Sequence, residues 1–301
     1  MAKFVMLIGL PGAGKSQYAE RLKGDLRLSS PLVLVSDAIR KEIFGDETIQ
    51  ENPERVFELM RQRTVAALAN GNDVIYDATN ISRKKRRHLL SQLPSCEKIA
   101  CVVWARYETC IARDASRERC VGDKVIRRML CSFQPPYFDE GWNRILFKIN
   151  DEPYMPSDYE NWVNCDHDNP HHANTVRKHC MQVLKQTAAL PYDKFRGMST
   201  NLILNVAAYL HDIGKKFVKA FKNSRGEPSN VAHYYNHQNV GSYFAIGYQD
   251  TLGLSTAMRA VIYWLINAHM DIFLNTKYSR NLPDDLKNLL DKFHTCDVAG
   301  A

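Results

Sequence analysis

The sequence predicts an α/β domain with a parallel sheet, followed by an all-α domain. Three observations indicate this order. In the first half, short apolar runs alternate with helical stretches, and a glycine-rich loop follows the first run directly. From about residue 172 onward, strand signals nearly vanish. The chain of 301 residues is also long enough for roughly two domains of ordinary size.

Four short apolar runs in the first half are predicted to be strands. They cover residues 4–8, 31–35, 73–76 and 98–104. Helical spacing predicts helices over 15–23, 53–70 and 81–93. Around 134–165, proline clusters interrupt the alternation, and they indicate a linker because proline disfavours regular helix. We therefore divide the chain into a first domain over 1–150, a linker over 151–168 and a second domain over 169–301.

The second domain is predicted to be all-α because long segments carry helical spacing. These segments are 172–189, 200–213, 236–249, 254–274 and 283–298. Within 200–213, apolar residues recur at three- and four-residue steps, which predicts one buried face. They are Leu202, Val206, Leu210 and Ile213. Gly214 follows as a helix-ending residue.

The composition is typical of a soluble globular protein of the cytoplasm. Hydrophobic residues make up 45% of the chain and charged residues 24%, and no apolar run approaches the roughly 20 residues that span a bilayer. The N-terminus leads directly into a predicted strand, so we expect no signal peptide. The eight cysteines are scattered without metal-finger spacing, which fits a reducing compartment. We expect no membrane partner.

The charge distribution favours a polyanionic partner. The formal net charge is +7, and much of the excess lies between Arg83 and Arg128. One cluster is the stretch 82–88, and the other covers 113–128. For 82–88, a solvated basic face of a helix is an alternative interpretation.

Residues 9–16 read Gly-Leu-Pro-Gly-Ala-Gly-Lys-Ser, a complete phosphate-binding loop. Glycines after a buried strand let backbone N–H groups surround a β-phosphate, and the following helix points its positive end at the same group. Lys15 then reaches the β- and γ-phosphates, and the Ser16 hydroxyl holds Mg²⁺. The motif predicts that ATP and Mg²⁺ bind here. The predicted contacts are Gly9, Gly12, Gly14, Lys15 and Ser16.

Polar residues follow the next two predicted strands. Asp37 and Arg40 follow 31–35, at the carboxyl edge of the sheet beside the loop. Asp37 can accept the proton of an acceptor hydroxyl, and Arg40, three residues later, can bind an anionic part of the acceptor. The alternative is an N-cap role for Asp37 with Arg40 on the surface. Asp77 follows 73–76, where a simple strand-end turn is the alternative.

With these residues, the stretch 4–130 resembles the P-loop domain of the polynucleotide 5′-hydroxyl kinase family. The resemblance implies that Asp37 is the general base and that Arg40 holds the 3′-phosphate of the nucleotide being phosphorylated. It also implies that Asp77 approaches the metal or the acceptor.

The same family has a lid whose arginines clamp the ATP phosphates. Arg113 and Arg117 resemble those arginines, and Arg119 is an alternative to either. The four-residue separation of Arg113 and Arg117 predicts that both lie on one face of a helix.

Histidines and aspartates recur through the second half. The doublet His211-Asp212 ends a predicted buried helix, His179 lies upstream, and Asp297 lies in the last predicted helix. His172 lies seven residues before His179, on the same helical face. This donor set suits Mn²⁺, Fe²⁺, Co²⁺, Ni²⁺ or Mg²⁺ with open positions for phosphate and water. Taken singly, each histidine is equally at home in a core or on a surface.

In this order, the residues resemble the HD phosphohydrolase superfamily over about 169–297. The resemblance implies that a metal binds inside a helical bundle, held by His179, His211, Asp212 and Asp297. In two-metal members further histidines bind the second ion, for which the candidates here are His237 and His269.

Three further features lie near these residues in the sequence. Lys215, just after the doublet, would contact the scissile phosphate. His233 lies four residues before His237 but has no motif support. The stretch 169–172 is similar to the HD domains attached to tRNA nucleotidyltransferases.

A 5′-kinase joined to a metal phosphohydrolase implies an enzyme that heals polynucleotide ends. It would phosphorylate 5′-hydroxyl ends with ATP and remove 2′-, 3′- or cyclic phosphate, which prepares both ends for a ligase. RNA is the expected polynucleotide. One alternative is a nucleoside or sugar kinase with an HD nucleotide phosphohydrolase, and the other is a nucleotide-sensing regulator. The oligomeric state stays open.

Overall fold

The chain divides into two compact units. The structure is a computed structural model that describes residues 1–49, 51–169, 174–249 and 252–300. The first unit comprises Met1–Met129 and Pro136–Glu152, and the second comprises Leu130–Pro135 and Pro153–Ala301. A short segment therefore leaves the first half of the chain to pack with the second unit.

The first unit contains a five-stranded parallel sheet of order β2-β3-β1-β4-β5, which confirms the predicted α/β fold. Its strands are β1 (Lys3–Ile8), β2 (Leu32–Val35), β3 (Val74–Asp77), β4 (Glu97–Trp104) and β5 (Arg144–Ile149). Its helices are α1 (Lys15–Asp25), α2 (Ser36–Phe44), α3 (Pro53–Ala69), α4 (Arg83–Leu90), α5 (Tyr107–Ala115) and α6 (Asp123–Leu130). The middle strands β1 and β4 are almost wholly buried, as expected where both faces of a sheet are covered.

The register of the sheet aligns the ends of three strands. Asp77 of β3 is the partner of Leu7 in β1 and of Val35 in β2. The phosphate-binding loop begins two residues after Leu7, and Asp37 lies two residues after Val35. The parallel register therefore brings the loop, Asp37 and Asp77 to one edge of the sheet.

The proline-rich stretch 134–165 contains regular structure that the sequence analysis did not identify. Strand β5 lies there at the end of the predicted first domain, and helix α7 (Pro156–Val163) lies within the predicted linker 151–168. Pro156 is the first residue of α7, where the missing N–H would have no helical partner in any case. Strand β5 is at the edge of the sheet and is mostly half-buried, so its sequence lacks the long apolar run of a central strand.

The basic cluster 82–88 is divided between core and surface. Arg86 is 1% exposed, and its Nε and Nη2 donate hydrogen bonds of 2.7 and 2.6 Å to the two carboxylate oxygens of Glu140. Trp142 Nε1 donates to the same carboxylate, and Arg83 is also buried. Breaking such a buried pair costs about 3–5 kcal/mol. These two arginines are therefore structural, while the other basic residues of α4 lie on the surface.

The second unit is mostly helical, as predicted. Its helices are α7 (Pro156–Val163), α8 (Val176–Ala188), α9 (Thr200–Leu210), α10 (Lys215–Val218), α11 (His237–Gln249), α12 (Thr256–Phe273), α13 (Lys277–Arg280) and α14 (Asp284–Ala299). It also has two short antiparallel pairs that the sequence analysis did not identify. They are β6 (Lys194–Phe195) with β7 (Met198–Ser199), and β8 (Ala220–Lys222) with β9 (Pro228–His233). No helix of the described ranges is both long and apolar enough to cross a membrane.

The buried face of α9 differs from the predicted one. Leu202 is 40% exposed and Val206 is half-buried, whereas Leu210 and Ile213 are buried. The residues that α9 buries are Thr200, Ile203, Leu204, Ala207, Ala208 and Leu210. Helix α9 packs against α8, α12 and α14, and its buried face combines Ala207 and Ala208 with Ile203, Leu204 and Leu210.

The segment Leu130–Pro135 is held to the second unit by two buried amides. Asn239 Nδ2 of α11 donates to the Cys131 carbonyl at 2.7 Å, and Asn267 Nδ2 of α12 donates to the Phe133 carbonyl at 3.4 Å. The Phe133 ring packs edge-on against Tyr243, with ring centres 5.0 Å apart. Part of the core around α11 and α12 is therefore formed by a segment that precedes these helices by about a hundred residues.

Candidate functional site

The phosphate-binding loop lies between β1 and α1, as the motif predicted. Gly12 and Gly14 have φ values of 79° and 90°, in the left-handed region that favours glycine. A Cβ atom at Gly12 would lie 2.3 Å from the Cys110 carbonyl oxygen, and one at Gly14 would lie 2.1 Å from Asn150 Nδ2. Gly9 N donates to a carbonyl that follows β3, at 3.0 Å. Only glycine fits the two inner positions, so the loop backbone can approach a phosphate closely.

Ser16 and Asp77 meet at the end of the loop. Ser16 Oγ donates a 2.7 Å hydrogen bond to Asp77 Oδ2, so Asp77 contacts the loop rather than forming only a strand-end turn. Burial raises the pKa of Asp77, although Ser16 and Lys15 act in the opposite direction. A hydroxyl and a carboxylate are hard oxygen donors of the kind that Mg²⁺ prefers. These two residues fit a Mg²⁺ ion that accompanies a bound nucleotide.

Lys15 is half-buried at the first position of α1. Its Nζ donates to the Leu10 carbonyl at 2.8 Å. Burial lowers the pKa of Lys15, and the nearby carboxylates of Asp77 and Asp37 partly offset this effect. The Arg117 charge lowers the same pKa, so Arg117 also acts near the loop.

Asp37 and Arg40 form an ion pair in α2. Arg40 Nη1 donates to Asp37 Oδ1 at 2.6 Å, and Arg40 is 6% exposed while the Asp37 side chain is 54% exposed. The N-cap residue of α2 is Val35, so Asp37 lies within the first turn. The alternative of an Asp37 N-cap with a surface Arg40 is therefore wrong. Among the residues described, Arg40 Nε is buried without a hydrogen-bond partner.

The candidate lid arginines do not share one helical face. Arg113 is in the last turn of α5, and it donates to the Gly12 carbonyl at 3.4 Å and to the Asn150 carbonyl at 3.1 Å. Helix α5 ends at Ala115, so Arg117 lies in the turn beyond it. The buried Asp114 carboxylate accepts hydrogen bonds from two backbone N–H groups after this turn, which bends the chain away from the helix axis.

Arg119, the alternative lid arginine, lies on the side of the acceptor residues. Its Nη1 is 3.6 Å from Asp37 Oδ1 and 3.6 Å from Glu47 Oε1. Together, Arg40 and Arg119 place two guanidinium groups around the candidate general base.

In the second unit, four predicted metal ligands converge from two helices and a turn. His179 Nε2 of α8 lies 3.0 Å from Asp297 Oδ1 of α14 and 3.5 Å from Asp212 Oδ2. His211 Nε2, in the turn after α9, lies 3.4 Å from each of the same two oxygens. All four side chains are buried. The residues His179, His211, Asp212, His237, His269 and Asp297 are called the metal cluster below.

Asp212 joins this set to a second group of histidines. Its Oδ1 lies 3.2 Å from His237 Nε2 of α11 and 4.0 Å from His269 Nε2 of α12, while its Oδ2 faces His179 and His211. Each of the two sets has three side chains with ligand atoms within 4.8 Å of one another. One carboxylate therefore serves both sets, as a residue that bridges two ions would.

Backbone carbonyls fix the orientation of all four histidine rings. Each Nδ1 lies within hydrogen-bond distance of a carbonyl oxygen, and the distances are 3.1 Å for His179 to Gly300, 2.8 Å for His211 to Ala208, 2.8 Å for His237 to Tyr234 and 2.7 Å for His269 to Ile266. A carbonyl oxygen can only accept, so Nδ1 carries the proton and the Nε2 lone pair faces the cluster. This is the arrangement that a metal-binding histidine requires.

The metal-ligand atoms of the cluster face one another at short distances, and a divalent ion would satisfy them. Nε2 of His179 lies 3.2 Å from that of His211, and Nε2 of His237 lies 3.1 Å from that of His269, so lone pairs face each other. Asp212 Oδ2 is buried, and within the described ranges it has no hydrogen bond of acceptable geometry, although Lys215 Nζ is 2.7 Å away. Nitrogen and oxygen donors of this kind suit Mn²⁺, Co²⁺ or Ni²⁺.

The close imidazoles and carboxylates of the cluster shift one another's pKa values. Burial disfavours the charged forms, but the carboxylates raise the pKa of His211 well above its usual value and His211 holds the pKa of Asp212 well below its own. The pKa of Asp297 is also lowered, by His211 and His179 against the effect of burial. Burial and the neighbouring histidines lower the pKa of His269 to about 3. Imidazoles and carboxylates thus compete for protons at a place where a cation would satisfy all of them.

Lys215 and His167 lie at the edge of the cluster. Lys215 is 5% exposed, and its Nζ lies 2.7 Å from Asp212 Oδ2 and 3.1 Å from His167 Nε2. The sequence analysis missed His167, because it lies outside every helix and matches no motif. His167 Nδ1 contacts the Asn174 carbonyl and so carries the proton, which lets its Nε2 accept from the Lys215 ammonium.

Two other histidines are placed differently. His233 ends β9, with its Nε2 3.1 Å from Ser229 Oγ and its Nδ1 3.2 Å from Tyr235 Oη. Both ring nitrogens of His233 therefore contact residues outside the metal cluster. His172, with the rest of the stretch 170–173, lies outside the described residues.

Gly214 allows the cluster to close. A Cβ atom there would lie 2.2 Å from the His237 carbonyl oxygen and 2.6 Å from Gly241 N. The turn that carries Asp212 can therefore press against the start of α11, which carries His237. The predicted role of Gly214 as a helix-ending residue is secondary, since its φ of −77° is available to any residue.

Metal addition should stabilise the protein through this cluster. An ion at about 100 times its Kd contributes about 2.7 kcal/mol, which raises the unfolding midpoint of a unit of this size by about 5–10 °C. Calorimetry of metal-free protein with added Mn²⁺, Co²⁺ or Ni²⁺ measures the shift. The variant His179→Ala should lose it, whereas His88→Ala, at an exposed histidine of the other unit, should keep it. An equal shift in His179→Ala would argue against the site.

Residues 4–136 match a family model described as an AAA domain. The match includes the phosphate-binding loop and strands β1 to β4, and together with the parallel sheet it supports a kinase-like P-loop domain in the first unit. No curated protein is significantly similar to the chain.

The chain is also similar to parts of solved structures. One is the Pnkp1/Rnl/Hen1 complex, with 26% identity, 37% of this chain and 38% of that chain covered, and a TM-score of 0.33. Another is the Pnkp1/Rnl/Hen1 RNA repair complex, with 21% identity, coverage of 44% and 43%, and a TM-score of 0.39. A third is a putative kinase from Chloroflexus aurantiacus, with 18% identity, coverage of 49% and 85%, and a TM-score of 0.38. The chain spans less than half the length of the first two structures.

Proposed function

We propose that the protein heals the ends of broken polynucleotides, RNA in particular. One unit would transfer the γ-phosphate of ATP to a 5′-hydroxyl, and the other would remove a 2′-, 3′- or cyclic phosphate. The observation that carries this proposal is a phosphate-binding loop in one unit and a converging set of histidines and aspartates in the other. The products would be the ends that a ligase joins.

The kinase centre has the groups that transfer to an alcohol needs. The loop backbone, Lys15 and Arg113 would surround the ATP phosphates, and Ser16 with Asp77 would hold Mg²⁺. Asp37 is exposed enough to reach an acceptor and is oriented by Arg40.

Arg40 supports an acceptor that carries its own phosphate. Its Nη1 is engaged by Asp37, but its buried Nε is an unused donor within the described part of the chain. Leaving such a donor without a partner costs free energy, which an anionic group of the acceptor would recover. A 3′-phosphate next to the 5′-hydroxyl is such a group, whereas a free sugar or nucleoside has none.

The metal cluster has the groups that ester hydrolysis needs. Divalent ions held there would polarise a phosphate and lower the pKa of a bound water. Lys215 is fixed between Asp212 and His167, so its ammonium can neutralise a phosphate oxygen without moving far. The Nδ1 contacts of the four histidines hold the donor atoms in place before substrate arrives.

The deciding experiment uses an oligonucleotide with a 5′-hydroxyl and a 2′,3′-cyclic phosphate. It is incubated with the full chain, ATP, Mg²⁺ and Mn²⁺, and both ends are resolved by mass spectrometry. We expect a 5′-phosphate and a hydroxyl at the other end. A free nucleoside or sugar phosphorylated in preference to the oligonucleotide would instead support a small-molecule kinase. ATP hydrolysis that no acceptor stimulates, with both ends unchanged, would support a nucleotide sensor.

A further inference from the structure

We propose that Tyr235 and His233 form a stacking platform for the terminal base of a single-stranded polynucleotide whose end phosphate lies at the metal cluster. The proposal rests on the proposed phosphohydrolase function and specifies how that site recognises its substrate. The two residues are called the aromatic platform below. They lie at the end of β9 and just after it, in the hairpin that the sequence analysis did not identify.

The aromatic platform is a fixed pair rather than a loose surface side chain. The two rings are parallel within 6°, with centres 5.3 Å apart. Tyr235 Oη lies 3.2 Å from His233 Nδ1, and His233 Nε2 lies 3.1 Å from Ser229 Oγ in the same strand. Tyr235 is nevertheless 47% exposed. A large aromatic surface that is held in place and left open to solvent can stack a base at little entropic cost.

The platform lies directly next to the metal cluster along the chain. Tyr235 precedes the ligand His237 by two residues, a reach of at most about 7 Å. Between them, the Tyr234 carbonyl accepts from His237 Nδ1 at 2.8 Å. The Tyr234 ring also covers Lys215, whose Nζ is 5.6 Å from the ring centre. The same short segment thus carries the exposed ring and orients two groups of the phosphate-handling centre.

The charge of the segment that carries the platform favours a polyanion. Between residues 215 and 235 there are five basic side chains and one acidic side chain, Glu227. Lys215 and Lys219 pair with Asp212 and Asp168, which leaves Lys216, Lys222 and Arg225 exposed on the surface. Cations that follow a phosphate backbone and aromatic rings that stack bases are the two elements of single-strand binding. A partner protein would need a broader apolar surface, and a free nucleotide would leave most of these cations unused.

The hairpin supplies its own matched control. Phe221 in β8 is 49% exposed, almost the same as Tyr235, and follows Ala220, the residue paired with His233. Because successive side chains of a strand alternate between its faces, we expect Phe221 to point away from the face of His233. A general effect of removing exposed aromatic surface would appear at both positions, and a stacking effect only at Tyr235.

The test compares two substrates in the full-length protein with Mn²⁺. One is a 5′-phosphorylated oligonucleotide with a 3′-phosphate, which cannot be a kinase acceptor, and the other is p-nitrophenyl phosphate, which lacks a nucleobase. Tyr235→Ala should lower the preference for the oligonucleotide, expressed as the ratio of the two kcat/KM values, by about 5- to 150-fold through KM. Tyr235→Phe keeps the ring and should restore most of the preference, and Phe221→Ala should not change it.

An abasic nucleotide at the 3′ end gives a second, independent arm. The wild-type protein should lose about the same factor on this substrate, and Tyr235→Ala should lose little more, because the two changes remove the same contact. The proposal would be overturned if Tyr235→Ala lowered kcat/KM equally for the oligonucleotide and for p-nitrophenyl phosphate. It would also be overturned if the losses from Tyr235→Ala and from the abasic nucleotide were additive.

A binding measurement separates this proposal from the proposed function. Fluorescence anisotropy gives the Kd of the same 3′-phosphorylated oligonucleotide, and Tyr235→Ala should weaken it where Phe221→Ala does not. If the wild-type protein releases phosphate from neither substrate, the phosphohydrolase function fails. If Tyr235→Ala then also binds as tightly as the wild-type protein, the aromatic platform fails as well.

Discussion

Replacing Asp212 by Asn should reduce removal of terminal phosphate by roughly 100-fold or more, while ATP-dependent 5′-phosphorylation continues. Changing a residue that only supports a metal ligand costs about 10- to 100-fold, and Asp212 is placed to be a ligand itself. Its Oδ1 faces His237 and its Oδ2 faces His179 and His211. Asn offers one oxygen and an amide NH₂ that cannot bind a cation, so it can serve only one of the two sets.

The measurement is phosphate release from a 3′-phosphorylated oligonucleotide, with kinase activity assayed on the same preparation. Asp193→Asn is the control, since Asp193 is an exposed aspartate of the same unit that pairs with Lys292. Because Asp212→Asn also leaves the Lys215 ammonium without its carboxylate, thermal unfolding must be compared. His269→Gln is a milder variant that removes a donor 4.0 Å from Asp212. Full phosphate release in both variants would contradict the assignment of the cluster.

Replacing Lys15 by Met should reduce 5′-phosphorylation by roughly 100- to 1,000-fold and leave phosphate removal intact. The change removes a fixed positive charge at the transferred phosphoryl group, and losing one such group from a preorganised site typically has this effect. The Lys15 side chain is half-buried and its ammonium is held against the loop by the Leu10 carbonyl, so bulk solvent cannot replace its charge easily. The variant keeps the side-chain length and the apolar contacts of the stem.

Transfer of labelled phosphate from ATP to a 5′-hydroxyl oligonucleotide measures this effect. Lys23→Met in the same helix is the control, because Lys23 is partly exposed and pairs with Glu20. It should phosphorylate the oligonucleotide as the wild type does. Loss of both activities in Lys15→Met would show that the two centres do not work independently, and normal phosphorylation would remove Lys15 from the mechanism.

The sequence was informative wherever a local pattern has one structural solution. The strand over 4–8, followed by glycines and Lys15, could only be a strand that leads into a phosphate-binding loop. The long helices of the second unit were also predicted closely, since helical spacing over 13 to 18 residues is a strong signal. The order in which His179, the doublet and Asp297 occur identified residues that the fold brings together.

Features that depend on long-range contacts could not be predicted in the same way. Strand β5 is an edge strand with a mixed sequence, and only its pairing with β4 makes it a strand. The pairing of Arg86 with Glu140 joins residues 54 positions apart, so the sequence showed only a basic cluster. Arg117 lies beyond α5 because Asp114 accepts backbone hydrogen bonds from the following turn. His167 joins the cluster through its contact with Lys215, a residue 48 positions away.

The way in which Leu130–Pro135 packs has a consequence for dividing the protein into separately expressed parts. A fragment that starts at Pro153 contains every ligand of the metal cluster but lacks this segment. Asn239 would then lose the Cys131 acceptor of its buried amide, at about 1–3 kcal/mol, whereas Asn267 would lose its longer bond to Phe133 but keep Asn239 Oδ1 at 2.8 Å. Both amides lie two residues from a cluster histidine. Poor activity of such a fragment would report a damaged scaffold and would say nothing about whether one catalytic centre needs the other.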